Sequence, residues 1–172
     1  YGAFGKFLYE NKIQLQDIEK VMLTGVGSAY INEPIYNLPT EKAEEFIADG
    51  LGARYETKLD RMIVVSMGTG TSIVKCDGED IKHIGGIGIG GGTLQGLSRL
   101  LLKTDDILQV AKLAEEGDVS HINLLIKDIS AKPLPGLPMD AIASLCGNAK
   151  SNASREDIAI GLIWMVLQSI CS

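Results

Sequence analysis

Two glycine-rich segments hold the residues whose types and spacing could do chemistry. The first is Gly68-Thr69-Gly70-Thr71, and the second runs from Gly85 through Thr93, with six glycines in its first eight positions. Glycine lacks Cβ, so backbone amides can approach phosphate oxygens closely, and threonine hydroxyls add neutral donors. A bare Gly-x-Gly is also the composition of a hairpin turn. The longer run resists that reading, because each glycine costs roughly 0.5–1 kcal/mol relative to Ala where no special backbone is needed. Leu94, Leu97, Leu100 and Leu101 follow it at helical spacing. A glycine loop thus delivers the chain to a helix N-terminus, where the first free amides and the dipole favour an anion. No Gly-Lys-Ser/Thr follows, which excludes a Walker A loop. The flanking strands form hairpins instead of a βαβ unit, which excludes a dinucleotide fingerprint.

The other reactive side chains are less telling. Ala43, Phe46, Ile47, Gly50 and Leu51 form an apolar stripe at helical spacing. Glu45 falls well away from its centre and Glu44 on its flank, so the pattern alone reads both as solvated. His83 stands at a strand end beside the glycine loop, where a ligand contact and a surface imidazole are both open. Neither it nor His121 has a partner at metal-ligand spacing. Arg99 and Lys103, on the helix after the loop, read as solvated. Cys76, Cys146 and Cys171 are far apart and odd in number, without a C-x-x-C, and read as buried or neutral thiols in a reducing compartment.

The elements that must position these residues alternate strand and helix. A helix is expected over residues 2–11, then a strand at Val21-Met22-Leu23 running into the turn Thr24-Gly25-Val26-Gly27. Thr40 is the expected N-cap of a helix at about 40–51. Ile63–Ser66, Ser72–Cys76 and Ile81–Ile84 predict a three-stranded antiparallel meander, with Asp77-Gly78 in its tight turn. Helical patterns follow at 107–114 and from Ile122 to Ile129, then a rigid loop from Lys132 to Pro138. The last helix, about 154–170, has Ser154 as N-cap with Asp157 three residues on. Trp164 and its apolar neighbours read as core.

The 172 residues are 45% hydrophobic, enough for one domain or part of a two-domain protein, and the formal net charge is −6. That charge argues against a nucleic-acid partner. No apolar run approaches the ~18 residues of a membrane span and no signal peptide is recognisable, so the expectation is a cytoplasmic protein with no membrane partner. Both ends read as cut, since Tyr1-Gly2-Ala3-Phe4 enters a helical pattern without an initiator Met and Ile170-Cys171-Ser172 stops without a tail.

Met67-Gly68-Thr69-Gly70-Thr71-Ser72 followed by Ile84-Gly85-Gly86-Ile87-Gly88-Ile89-Gly90-Gly91-Gly92-Thr93-Leu94-Gln95-Gly96-Leu97 resembles type II pantothenate kinase, in both motifs and in the spacing between them. The resemblance extends from Val21 through Ser144. It implies an α/β fold of the actin-like, ribonuclease-H-like ATPase kind, with residues 1–60 ending an N-terminal lobe and 61–172 starting a C-terminal lobe. It implies ATP with Mg2+, phosphorylation of pantothenate in coenzyme A synthesis, a homodimer and an acyl-CoA regulator. Gly68, Thr69, Gly70, Gly91, Gly92, Thr93, Leu94 and Gln95 then match the nucleotide site, and Glu45, in a Glu-Phe pair, matches the general base. Substitution of Gly91 or Gly92 by valine is expected to abolish ATP binding with little loss of fold. His83 stands where some members carry a pantothenate-binding Arg, and Gly85 and Gly86 are expected beside it in the substrate site. The family's Asp-x-Gly-Gly-Thr loop and adenosine site are not in these residues, so this piece alone is expected to be inactive. Asp140-Ala141-Ile142-Ala143-Ser144-Leu145-Cys146-Gly147 loses a hydroxyl and an amide against the family loop it matches. That keeps open a silent nucleotide- or acyl-CoA-binding relative, and another actin-like small-molecule kinase, of the N-acetylhexosamine type, is the other alternative.

Overall fold

The computed structural model describes residues 2–133 and 135–172. Tyr1, and Leu134 of the expected proline-rich loop, lie outside the described residues. The chain divides into two compact units, one running to Ser66 and resuming over Ile73–Gly85, the other taking Met67–Ser72 and Gly86–Ser172.

In the first unit, α1 (Gly2–Glu10) is the expected N-terminal helix and buries Leu8. The apolar strand β1 (Val21–Leu23) pairs in parallel with β2 (Thr40–Lys42), Val21 standing opposite Thr40. This pairing corrects the helix expected from Thr40. Residues 40–42 must stay extended to meet β1, so helical dihedrals begin only afterwards and α2 spans Glu45–Thr57. The Thr40 hydroxyl caps no helix; it accepts from the Ile35 N–H at 3.0 Å and donates to the Leu38 carbonyl at 2.9 Å. Lys58 closes α2 in the left-handed conformation, φ 60°, its amide bonded to the Arg54 carbonyl.

β3 (Arg61–Met67), β4 (Thr71–Asp77) and β5 (Asp80–Ile87) make a sheet in the order β3-β4-β5. Their links are too short for a parallel crossover, so the meander is antiparallel, as the pattern predicts. The tight turn falls on Gly78-Glu79, one residue later than expected, because β4 keeps Asp77 and Gly78 alone takes the positive φ, 63°. Met62 and Val64 alternate inward with Val74, Cys76 and Ile81, and Phe46 and Ile47 of α2 cover them.

The second unit is mainly helical. It contains α3 (Gly91–Leu101), α4 (Ile107–Glu115), β6 (Leu124–Leu125), α5 (Ile126–Ile129), β7 (Ile142–Ser144) and α6 (Arg155–Cys171). Leu102, Val110, Ala114, Ala159 and Leu162 form its core, with Leu94, Leu97 and Leu113 packed against them. Asp106 caps α4 by accepting from the amides of Leu108 and Gln109. Ser154 caps α6 as expected, accepting from the Asp157 N–H at 3.0 Å. The helical reading of Ile122–Ile129 is corrected: β6 pairs antiparallel with β7, leaving one helical turn. Of the thiols only Cys76 is buried, whereas Cys146 and Cys171 are exposed.

Candidate nucleotide and acid–base sites

In the second unit the two glycine segments are joined through their backbones. The Gly91 N–H donates to the Gly68 carbonyl at 2.8 Å, and the Gly92 N–H to the Thr69 carbonyl at 2.9 Å. These are the first two amides of α3, whose N-cap is Gly90. The expectation that they stand free for an anion is therefore corrected: the turn at 68–69 consumes them. The amides of Thr93 and of the turn 68–70 take no part in these bonds. The Thr93 hydroxyl accepts from the Gly90 N–H and donates to the Gly88 carbonyl, both at 3.3 Å. The Thr71 hydroxyl donates to the Ile89 carbonyl at 2.8 Å. Both threonines thus hold the second loop in shape.

The docking explains part of the glycine run. A Cβ at Gly90 would lie 2.7 Å from the Gly70 carbonyl oxygen, at Gly91 3.0 Å from that of Gly68, and at Gly92 2.9 Å from that of Thr69. Real Cβ atoms do not come that close to backbone without something moving. At Gly85 and Gly88 the same atom would meet nothing within 4 Å. The expectation that valine at 91 or 92 leaves the fold intact is corrected accordingly. Leu94 packs on the core of the unit, and its amide is bonded to the Gly90 carbonyl. It has neither a free side chain nor a free amide for a ligand. Gln95 is exposed, and its Nε2 donates to the Asp105 carbonyl at 3.3 Å.

In the first unit Glu45 is the first residue of α2, half-buried, whereas Glu44 is exposed. A carboxylate at a helix N-terminus is favoured by the dipole. Its Oε2 accepts from the Val26 N–H at 3.1 Å. Gly25, just before, has φ 89° and ψ 154°. Gly25, Val26, Ser28, Lys42, Glu45 and Phe46 line an open pocket of about 610 Å³. The His83 ring stacks on Phe46, with centroids 4.3 Å apart, which places the imidazole on the residue next to Glu45. Stripe periodicity missed the half-burial of Glu45, since the turn at Gly25-Val26 that meets it lies outside α2. It also missed the Val26 amide; the available signal was the glycine turn directly after β1.

Away from these sites, Asp157 on α6 accepts from the Asp118 N–H at 2.8 Å, and its other oxygen lies 3.0 Å from His121 Nδ1. The Asp118 amide, foremost, holds the Asp157 carboxyl below the usual carboxylate range, opposed by burial and aided by His121. Bonds to Ser120 lower Asp118 likewise.

Residues 53–172 match the protein-family model described as Fumble. A type II pantothenate kinase of Staphylococcus epidermidis is 31% identical over 170 residues, covering 90% of this chain and 63% of that protein. A type II pantothenate kinase of Staphylococcus aureus is 38% identical over 138 residues, covering 77% of this chain and 51% of that protein. The chain spans about half to two thirds of the length of these curated relatives.

Proposed function

Because this chain belongs to the Fumble family, we propose that the protein of which it is part transfers the γ-phosphoryl group of ATP to the primary hydroxyl of pantothenate, a first step toward coenzyme A. The family is one of actin-like ATPases, and the mixed α/β structure agrees with that class. The observation that carries the reading is the docking of the Gly68–Gly70 turn onto the N-terminus of α3, inside the segment that matches the family. It keeps a glycine loop rigid while the turn amides and that of Thr93 stay out of the bonds. Rigid amides aimed at phosphate stabilise developing charge without reorganising.

Each group then has a task. Gly68, Thr69 and Gly70 offer amides to the nucleotide phosphates, Gly91 and Gly92 hold that turn in place, and Thr93 adds its amide. Leu94 anchors the helix beneath, and Gln95 stands at its exposed edge. Glu45 accepts the proton of the attacking hydroxyl as its oxygen bonds to the γ-phosphorus and the bond to the β–γ bridging oxygen breaks, leaving ADP. His83, with Gly85 and Gly86, contacts pantothenate. Mg2+ would accompany ATP, but among the described residues no cluster of three or more His, Cys, Asp and Glu could hold it.

Residues 1–60 then end an N-terminal lobe and 61–172 begin a C-terminal one. A cytoplasmic homodimer regulated by acyl-CoA completes the proposal. Among the described residues no helix is long and apolar enough to cross a membrane. The experiment is steady-state phosphorylation of pantothenate by the full-length protein. Glu45→Gln should lower turnover by roughly 10²–10⁴ with ATP binding kept, and Glu44→Gln should not. Near-normal turnover for Glu45→Gln removes it from the mechanism.

A further inference from the structure

We propose that Gly25 and Val26 are a positioning device for Glu45: the Val26 N–H holds Oε2 and leaves Oε1 to take the proton. This rests on the reading of Glu45 as proton acceptor. The bond is 3.1 Å long and joins residues nineteen apart in sequence, from the turn after β1 to the first turn of α2. The dihedrals of Gly25, φ 89° and ψ 154°, lie in a region essentially restricted to glycine. Nothing stands within 4 Å of where its Cβ would be. Torsion, not space, therefore requires glycine here, and that torsion aims the next amide at α2. Val26 is 83% exposed, so what the position supplies is its N–H. Gly25, Val26 and Glu45 line the same pocket, so the carboxylate is pinned in the wall a substrate hydroxyl would meet. A glutamate has three side-chain rotors, and fixing them before substrate arrives removes part of the orientational cost of the proton transfer.

Val26→Pro in the full-length protein tests this with little else disturbed. Val26 is the first residue of a short 3₁₀ helix, where the φ and missing N–H of proline are tolerated, and a ψ of 154° at Gly25 suits a residue before proline. With pantothenate and ATP as substrates, kcat should fall about 10- to 100-fold, the size of a lost hydrogen bond to a charged group. KM for ATP should hold, and Val26→Ala, which keeps the N–H, should lose far less kcat than Val26→Pro. Gly25→Ala should reproduce the kcat loss by turning the amide away, and serves if the proline variant melts early. In a Glu45→Gln background Val26→Pro should add nothing. A folded Val26→Pro with wild-type kcat beside an impaired Glu45→Gln overturns the positioning role and leaves the base standing. An equal further loss in the Glu45→Gln background shows a merely structural effect and also overturns it. Wild-type turnover for Glu45→Gln overturns both.

Discussion

Replacing Gly92 by alanine measures how tightly the two glycine segments are docked. The new Cβ would sit 2.7 Å from Thr69 Cγ2 and 2.9 Å from the Thr69 carbonyl oxygen, and that oxygen accepts the Gly92 N–H at 2.9 Å. The threonine methyl can swing aside, but the carbonyl is backbone and must retreat by about half an ångström to reach ordinary contact. Overpacking of this kind costs typically 1–3 kcal/mol. Weakening the hydrogen bond adds about 0.5–1.5 kcal/mol. Against these, alanine gains up to about 1 kcal/mol over glycine in a helix. The collision wins, by roughly 1–3 kcal/mol net. At about 2–4 °C per kcal/mol for a protein of this size, the melting temperature should drop about 2–12 °C. Gly88→Ala is the control, since its Cβ meets nothing within 4 Å and Gly88 has no positive φ. It should stay within about 0.5 kcal/mol of wild type. The assay is a thermal melt of the full-length variants, with ATP affinity titrated separately. Equal melting temperatures for the two variants would refute the close-approach argument. A Gly92→Ala protein that melts as wild type yet fails to bind ATP would show that the glycine serves ligand approach alone.

The Asp157 carboxyl is held below its unfolded value, so its stabilisation is complete above about pH 4 and is lost as pH falls toward the folded value. Asp157→Asn should therefore lower stability at neutral pH and flatten the decline below about pH 4 in urea melts run from pH 7 to pH 2.5; a curve parallel to wild type would refute the assignment. Some decline should survive, because Asp118 is lowered as well. Ser154→Ala removes the cap of α6 and should cost about 0.5–2 kcal/mol in a denaturant titration, with no cost meaning that the Asp157 amide finds water as readily.

How much of this was legible in sequence depended on the range of the forces involved. The meander needed only apolar runs separated by turns too short for a crossover, and the cap of α6 needed only Ser154 before a helical pattern. Those are local, and both appear in the structure, the meander with its tight turn one residue later than expected. The family was legible for a similar reason, since two glycine motifs at fixed spacing leave few alternatives. Thr40 shows the opposite case. It is a good N-cap by type, yet pairing with Val21 nineteen positions away holds it in a strand. Leu124 and Leu125 likewise follow Ile142 and Ser144 into a ladder instead of extending a helix.

The same division holds at the sites. The sequence by itself determined that the glycine segments are unusual, whereas the weight given to Glu45 before Phe46 came from the family resemblance. Only tertiary structure decided that the first amides of α3 are spent on Gly68 and Thr69, and that Oε2 of Glu45 rests on the Val26 N–H. The physical reason is that a donor's direction is set by backbone torsion and by whichever acceptor the fold brings near. Residue type states that an amide exists; the partner it meets, nineteen or more residues away, is known only once the chain has folded.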